Sequence, residues 1–479
     1  MKNVIQHPAA VDLQNVSMIL RTDSYKVTHW LQYPPGTRHI YSYGESRGGV
    51  YPTVTFFGLQ YYLKTYLMRP ITMADVDYAE KRFNLHFQGL HVFNRPGWQR
   101  IVKLHGGYMP VRIDAVPEGL TVGTRNVLFT IENLDPELPW VTNYVETLIM
   151  KVWYPTTVAT QSRAIRELIL DALEETGTPG DLDFKFVDFG YRGASSEESA
   201  AIGGMAHLAV GNMASDTFIA NEAALLYYDE EMASFGIPAA EHSTIMAWGK
   251  EHEGDAFENM IKQFGSGPMY AVVSDTNDIF FAVDDLWGQQ LKAQVLAAKG
   301  CLIIRPDSGV PHEVVRQIIE ILGRRYGYTL NDKGFKVLNK VRILQGDGID
   351  YAEIDLIIKT LIVRGWSLDN VSFGMGGALL QRLDRDTQKF AIKASQVQIG
   401  ERIDDIYKSP IGDNTKRSKA GRLKLVWTES GFETYNTNIL TDGPNVLRKV
   451  YTTGTLHNET NFASVRSLAD LSTTRGDVR

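Results

Sequence analysis

Short apolar runs alternate with helix-like segments through the middle of the chain. The run Leu302–Ile304 stops at Arg305, and the next segment places apolar residues such as Val314 and Ile318 on one face of a predicted helix ending at Gly323. The pattern begins at six places, namely Phe184–Val187, Ile237, Tyr270–Val273, Leu302–Ile304, Val341–Leu344 and Val371–Phe373. This alternation is typical of βαβ units, so it predicts a parallel sheet that closes as a barrel or partial barrel.

The two ends of the chain follow a different pattern. Segments Val111–Ala115 and Val127–Ile131 near the start, and Phe390–Val397 and Leu447–Thr452 near the end, favour antiparallel strands. We therefore predict an α/β protein with two domains. Residues 151–387 form a β/α barrel-like domain, and residues 1–150 plus 388–479 form an α+β, largely antiparallel domain.

Two local signals mark helices between these regions. Trp140–Glu175 is predicted to be a long helical stretch, interrupted near Pro155, that leads into the second domain. Ser195 and Glu198 have the spacing of a capping box, which predicts the start of another helix.

Polar residues follow the predicted strands of the middle region. The carboxyl ends of parallel strands share one rim, which is where α/β folds bind ligands. Arginines suit phosphate oxygens, glycines let backbone N–H groups approach phosphates, and carboxylates can hold ribose hydroxyls or Mg²⁺. Together these groups indicate a site for a phosphorylated sugar, and they are Asp188, Arg192, Asp216, His242, Asp278, Arg305, Asp307, Asp347, Gly376 and Gly377.

Each of these features also has a simpler interpretation. Arg305 and Asp307 could form a structural ion pair, and His242 fits either a structural or a functional role at a strand-to-helix turn. The G-M-G-G segment that ends at Gly377 favours a close helix–strand contact over a dinucleotide site, because the third glycine of the fingerprint is absent. The charge run Lys416–Lys419 is typical of a solvated surface.

Composition narrows the class of protein. The chain has 479 residues and a net charge of −7, which disfavours nucleic acid and anionic membranes as partners. Its one cysteine, Cys301, excludes an intramolecular disulfide and is typical of a reducing compartment. The start lacks the apolar core of a signal peptide, and no apolar run reaches membrane-spanning length. We expect a cytoplasmic protein.

Eight motifs resemble those of the nicotinamide phosphoribosyltransferase family and occur in the same order. They are T-D-S-Y-K, D-F-G-Y-R-G, P-A-A-E-H-S-T, S-D-x-x-D, I-I-R-P-D-S-G, Q-G-D-G, F-G-x-G-G-x-L-L-Q and K-R-S-K-x-G-R-L, between about Thr22 and Leu423. The resemblance implies a type II phosphoribosyltransferase fold and a homodimer with both active sites at the subunit interface. The implied reaction transfers phosphoribose from 5-phosphoribosyl-1-pyrophosphate to nicotinamide, giving nicotinamide mononucleotide and pyrophosphate in NAD salvage.

The resemblance also implies roles for the residues that match the family's motifs. Phe189 and, from the other subunit, Tyr25 would stack on the two faces of nicotinamide. Asp216 would accept a hydrogen bond from the carboxamide, and Arg192 and Arg305 would contact phosphate and amide groups.

The remaining implied roles concern the sugar, the phosphates and ATP. Asp307 would contact the ribose and Mg²⁺, directly or through water, and ATP would phosphorylate His242 with Asp278 as its partner. Arg305, Asp307, His242 and Asp278 would thus form the catalytic group. Gly346, Asp347, Gly376 and Gly377 would cradle the ribose 5-phosphate, Ser274 and Arg342 would add substrate contacts, and the other subunit would supply Arg47, Arg385, Lys393, Lys408 and Lys416.

One departure and two alternatives stay open. Val187 stands where the family often has histidine, which affects distal ligand contacts more than catalysis. Nicotinate phosphoribosyltransferases share T-D-S-Y-K and the barrel plan, but like-charge repulsion at Asp216 disfavours a carboxylate substrate. A non-catalytic nucleotide-binding or secreted signalling protein is disfavoured by the intact His242–Asp278 and Arg305–Asp307 motifs and by the missing signal peptide.

Overall fold

The computed structural model describes residues 13–409 and 417–471. Within these residues the strands are, in chain order, β1 (Thr37–Ser46), β2 (Thr53–Thr55), β3 (Val111–Ala115), β4 (Thr121–Gly123), β5 (Val127–Asn133), β6 (Phe186–Asp188), β7 (Ala214–Ser215), β8 (Met269–Val273), β9 (Cys301–Arg305), β10 (Tyr328–Leu330), β11 (Lys336–Leu338), β12 (Val341–Gln345), β13 (Val371–Met375), β14 (Phe390–Ile399), β15 (Arg402–Asp405), β16 (Leu423–Thr428), β17 (Gly431–Asn436), β18 (Arg448–Thr452) and β19 (Thr455–Leu456).

The α-helices of the same residues follow the chain between these strands. They are α1 (Leu59–Tyr62), α2 (Met73–His86), α3 (Arg95–Leu104), α4 (Val141–Tyr144), α5 (Glu146–Ile149), α6 (Trp153–Thr176), α7 (Glu197–Ala209), α8 (Ile219–Tyr228), α9 (His242–Met246), α10 (Glu253–Phe264), α11 (Ile279–Phe281), α12 (Lys292–Ala297), α13 (Pro311–Tyr326), α14 (Tyr351–Val363), α15 (Gly377–Leu380) and α16 (Phe462–Ala469).

The chain folds into two compact units. The first combines the described residues up to Thr160 with Asp384–Ala469, and the second contains Gln161–Leu383. The predicted fold class is confirmed, because the first unit carries an antiparallel sheet from both chain ends and the second carries a parallel sheet.

A seven-stranded sheet organises the first unit. Its strand order is β15-β14-β1-β5-β3-β18-β19, with β1 antiparallel to both β14 and β5. Alternation of buried and less buried residues along Val111–Ala115 agrees with the two-residue period predicted for it. The register pairs Tyr43 with Lys393, and the N–H of Arg47, just after β1, donates to the carbonyl of Lys389. Cations from distant parts of the sequence are thereby brought to one end of this sheet.

A six-stranded parallel sheet organises the second unit, in the order β7-β6-β13-β12-β9-β8. Five of the six predicted strands are present. The prediction of a strand at Ile237 is wrong, since only isolated bridges form around it, between Ala214 and Phe235 and between Ala239 and Ala271, next to Pro238, which lacks an N–H group. The sixth strand is β7, which pairs with β6 and whose two residues are too few to show a periodicity.

The helix after β9 shows a second difference from prediction. Helix α13 buries Val314 and Ile318 as expected, but it continues past Gly323 to Tyr326 and ends at Gly327, where φ is +73°. Gly323 is instead required by packing, because a Cβ there would lie 2.7 Å from the Trp366 ring.

The predicted start of helix α7 is displaced by one residue. Helix α7 is capped by Ser196, whose side chain accepts from the N–H of Ser199, so the capping box predicted from Ser195 and Glu198 is wrong by one residue.

The helical stretch predicted from Trp140 is interrupted near Pro155, as expected. Helix α5 ends at Ile149, a 3-10 turn follows, and α6 begins at Trp153. Pro155 itself lies in the first turn of α6, where its missing N–H is tolerated.

No helix in the described ranges is long and apolar enough to cross a lipid bilayer.

Candidate active site

An aromatic platform lies at the carboxyl rim of the parallel sheet. Phe189 follows β6, and its ring lies over Gly374 of β13, where a Cβ would overlap the ring. A Cβ on Gly346, after β12, would lie 3.0 Å from the same ring. Glycine at both positions therefore lets the phenyl ring lie close to the strand backbones.

Arg305 and Asp216 add charge beside this platform. The guanidinium carbon of Arg305 lies 5.3 Å from the Phe189 ring centre, and its Nη1 donates to the carbonyl of Ala240 over 3.1 Å. Its Nε is buried, and among the described residues it has no hydrogen-bond partner. Partial removal of the carboxylate from water raises the pKa of Asp216, and the positive charge of Arg305 opposes that shift. A ring, a donor and an acceptor can thus engage a planar ligand with a polar substituent.

Two loops of the rim expose backbone donors. The turn that holds Arg192 lies beside Gly377, since a Cβ on Gly193 would come within 3.3 Å of its Cα. Arg192 is exposed and makes no ion pair within residues 13–409 or 417–471. The N–H groups of Gly376 and Gly377 donate to no other described residue, and neither does that of Gly346. Asp347 is exposed at the end of the neighbouring loop. These groups are available to an anion.

His242 begins α9 and lies between a hydroxyl and two carboxylates. Its Nδ1 is 3.1 Å from Thr276 Oγ1, and its Nε2 is 3.4 Å from Asp307 Oδ2 and 3.7 Å from Asp275 Oδ1. The buried Asp275 accepts from the N–H of Asp307 over 3.1 Å and from Ser308 Oγ over 2.6 Å. Asp275 therefore fixes the loop that carries Asp307 and also faces the histidine ring.

The structure places Asp275 and Asp307, and not Asp278, beside the His242 ring, so the role of Asp278 as its partner stays a prediction. The Oδ1 atom of Asp278 accepts from the N–H groups of Phe280 and Phe281, at 2.8 and 3.1 Å, and caps α11. The motif S-D-T-N-D holds two carboxylates three residues apart, and the turn that begins α11 directs the first one, Asp275, toward His242.

Two further predicted substrate contacts have protein partners in this structure. Ser274 follows β8 and is fully buried, where its hydroxyl donates to the carbonyl of Val272 and accepts from Trp287 Nε1. Arg342 is the second residue of β12, at the amino end of the sheet, and its guanidinium donates to the carbonyls of Leu338 and Val341. Both substrate contacts stay predictions.

The first unit contains a basic pocket of about 220 Å³. It is lined by four predicted cations and one unpredicted carboxylate: Arg47, Arg385, Lys393, Lys408 and Glu146. Burial lowers the pKa of Lys393, Glu146 opposes that shift, and the three other cations lower the pKa further. Crowded cations around one carboxylate favour a polyanionic ligand. The predicted contact Lys416 lies outside the described residues.

Tyr25 borders a second pocket of about 450 Å³ in the same unit, which also includes Lys393 and Glu146. Its ring is 59% exposed and packs edge-on against His29, with 4.8 Å between centres. The next residue, Lys26, is buried and donates to Glu146 Oε2 over 2.9 Å. The unpredicted Glu146 thus connects the aromatic residue to the basic pocket, and no local signal marks it within a helical stretch.

Comparisons of sequence and structure agree with this geometry. Residues 184–455 match the model of the nicotinate phosphoribosyltransferase (NAPRTase) family, and residues 17–113 match the nicotinamide phosphoribosyltransferase N-terminal domain. The nicotinate-nucleotide pyrophosphorylase of Pyrococcus furiosus has a TM-score of 0.60 at 16% identity, covering 99% of this chain and 98% of that one. Human nicotinic acid phosphoribosyltransferase has a TM-score of 0.55 at 16% identity, covering 95% and 94%. The fold is therefore that of the pyridine phosphoribosyltransferases.

Sequence relatives specify the family within that class. A nicotinamide phosphoribosyltransferase of Xanthomonas campestris pv. campestris is 46% identical over 95% of this chain and 98% of its own length. One of Mycoplasma pneumoniae is 30% identical over 88% and 98%. The chain belongs to the nicotinamide phosphoribosyltransferase family of pentosyltransferases.

Proposed function

We propose that the protein transfers phosphoribose from 5-phosphoribosyl-1-pyrophosphate to nicotinamide, forming nicotinamide mononucleotide and pyrophosphate. The arrangement of Phe189, Arg305 and Asp216 carries this proposal. The phenyl ring suits stacking on a pyridine, and a neutral carboxamide can donate to the Asp216 carboxylate and accept from a cation. A nicotinate carboxylate in that place would be repelled by Asp216.

Charge stabilisation is the main task of the protein in this reaction. The pyridine nitrogen already presents a lone pair, so the attack requires no general base. Arg305 and the cations of the basic pocket would stabilise the departing pyrophosphate, while Asp307 would offset positive charge on the ribose. The stacked rings would hold the base in line for attack, which lowers the entropy cost of reaching the transition state.

Mg²⁺ fits this site as an ion shared with the substrate phosphates. Asp275 Oδ1 is buried and, within the described part of the chain, accepts no hydrogen bond. Asp307, on the neighbouring loop, donates its N–H to the other oxygen of Asp275. Those residues include no group of three or more His, Cys, Asp or Glu side chains that could hold a metal alone. Asp307 and Asp275 would therefore hold Mg²⁺ together with phosphate oxygens, and the ion would neutralise phosphate charge.

We also propose that ATP phosphorylates His242. A ring nitrogen would bond to the γ-phosphorus as the bond between that phosphorus and the leaving ADP oxygen breaks. Thr276 and Asp275 would orient the ring, a role earlier expected of Asp278. The new negative charge would lie near Asp307 and help to organise metal and pyrophosphate.

The proposal includes the oligomeric state of the protein and its location in the cell. The protein would act as a homodimer in cytoplasmic NAD salvage, with Tyr25 and the basic pocket of one subunit completing the rim of the other. The exposed Tyr25 ring supports this arrangement, because a large aromatic side chain in contact with water favours a partner.

A direct assay tests the reaction. Purified protein with Mg²⁺ and 5-phosphoribosyl-1-pyrophosphate is supplied with nicotinamide or with nicotinate, and the nucleotide product is identified by mass. We expect nicotinamide mononucleotide from the first mixture and little product from the second. Equal or greater turnover of nicotinate would instead assign the protein to the nicotinate enzymes.

Asp216→Asn is expected to reduce the preference for nicotinamide over nicotinate by about tenfold or more, because much of the discrimination comes from charge repulsion and an unpaired polar group. The preference is measured as the ratio of the two kcat/KM values. If the variant keeps the full preference, Asp216 does not select the base.

Mixed subunits are expected to recover activity that neither variant has alone. Tyr25→Ala and Asp307→Ala chains, mixed and allowed to exchange, would form dimers with one intact shared site, giving about a quarter of wild-type activity at full exchange. Tyr25→Ala mixed with the Tyr25→Ala/Asp307→Ala double variant is the matched control and should stay inactive. Demonstrated exchange without recovery would refute the shared site.

A further inference from the structure

The Asp188 carboxylate connects the two loops that carry the proposed base-binding residues. We propose that Asp188 is a positioning residue that holds the Phe189 loop against the Asp216 loop and so sets the geometry of the base pocket. This inference rests on the proposed function, because it assigns Phe189 and Asp216 to the nicotinamide ring.

Four hydrogen bonds make the connection. Asp188 is the last residue of β6, and its Oδ1 accepts from the N–H of Gly190 over 2.7 Å, which closes the turn around Phe189. Its Oδ2 accepts from Ser215 Oγ over 3.2 Å, and Ser215 Oγ in turn accepts from the N–H of Thr217 over 3.0 Å. The carbonyl of Asp188 accepts from the N–H of Asp216 over 2.9 Å. One residue therefore orients both loops.

The packing around Asp188 excludes direct contact with a ligand. Its side chain is 0% exposed. Helix α7 covers it with Gly204, where a Cβ would lie 3.2 Å from Oδ2, and β13 presents the apolar Met375 beside it in the parallel register. Asp216 is the charged neighbour. Asp188 can therefore affect the base only through the loops that it holds.

Ionisation of the buried Asp188 lowers the stability of the fold. A carboxylate kept at this cost is consistent with a role in positioning the two loops. Burial raises the pKa of Asp188 to about 6, although the bonds from Gly190 and Ser215 and the nearby Thr217 side chain lower it. Because this pKa is above the ordinary value, the ionised group destabilises the fold at higher pH, and that penalty disappears as pH falls through about 6. A neutral residue would give a more stable fold at alkaline pH. An amide, however, offers one acceptor oxygen where the carboxylate offers two.

Two variants and a control test the inference. In Asp188→Asn, the KM for nicotinamide should rise about tenfold at alkaline pH, whereas the KM for 5-phosphoribosyl-1-pyrophosphate should change less than about twofold, because only base positioning is lost. Its melting temperature at alkaline pH should change little, because relief of the charge penalty offsets the lost acceptor. The control Asp135→Asn removes a buried carboxylate whose pKa is lowered to about 2 by Arg100 and His105, so it should lower the melting temperature and leave the nicotinamide KM unchanged.

The pH dependence of kcat/KM for nicotinamide separates a positioning role from a merely structural one. In the wild type, kcat/KM for nicotinamide should fall as Asp188 is protonated near pH 6. Ser215→Ala removes a bond that lowers this pKa, so this part of the acidic limb should move to higher pH, and Asp188→Asn should remove it. A loss of activity that comes from protonation of Asp216 should persist in Asp188→Asn.

Failure of the inference about Asp188 and failure of the proposed function would give different results. If Asp188→Asn lowers the melting temperature and impairs both substrates equally, Asp188 is only structural. An unchanged nicotinamide KM with an unmoved acidic limb would also overturn the inference. A wild-type protein inactive with nicotinamide would overturn the proposed function, and with it this extension.

Discussion

Arg305→Ala is expected to lower kcat/KM for nicotinamide by about two to three orders of magnitude. The guanidinium lies against the Phe189 ring and near Asp216, and its Nε is buried without a hydrogen-bond partner among the described residues. Its loss would remove the cation beside the proposed base-binding ring and leave the Asp216 carboxylate without a cation that lowers its pKa. Steady-state kinetics at saturating 5-phosphoribosyl-1-pyrophosphate measure the effect.

Arg342→Ala is the matched control for this prediction. Arg342 belongs to the neighbouring strand of the same sheet, but its guanidinium donates to the carbonyls of Leu338 and Val341 at the sheet's amino end. We expect this variant to lose stability and to retain a kcat/KM within a few-fold of wild type. Equal losses in Arg305→Ala and Arg342→Ala would refute the assignment of Arg305 to the site.

His242→Ala is expected to abolish ATP hydrolysis and ATP stimulation while leaving a slow, ATP-independent transfer. The ring lies beside Thr276, Asp275 and Asp307, so it can accept a phosphoryl group near the proposed metal site without touching the base. ATPase, transferase and melting temperature are measured on the same preparation. Intact ATP stimulation at an unchanged melting temperature would rule out the phosphoryl-acceptor role.

Two aspartate variants separate orientation of His242 from helix capping. Asp275→Asn should reduce ATP coupling, because Asp275 faces the histidine and holds the loop of Asp307. Asp278→Ala should lower stability by about 1 kcal/mol through loss of the α11 cap and should leave ATP coupling intact. Loss of coupling in Asp278→Ala with full coupling in Asp275→Asn would restore the original pairing.

Local sequence was sufficient for the architecture of the second unit and for most of its rim. Runs such as Leu302–Ile304 and Val371–Phe373 are buried strands, and the polar residues after them gather at one edge. This follows because all strands of a parallel sheet place their carboxyl ends together, whatever their order. The sequence could therefore place Asp188, Arg305 and Asp307 on one rim without knowing that β6 lies beside β13.

Only the tertiary structure decided which side chains meet. Asp275 and Asp278 lie three residues apart in one motif, and the turn before α11 determines which of them reaches His242. The Arg342 side chain is of a type that binds phosphate, but its position along β12 places it at the amino end of the sheet, opposite the rim. The pairing of Glu146 with Lys26 joins residues far apart in the chain. Periodicity reports the face on which a residue lies, whereas partners across the chain depend on register and packing, which the whole fold determines.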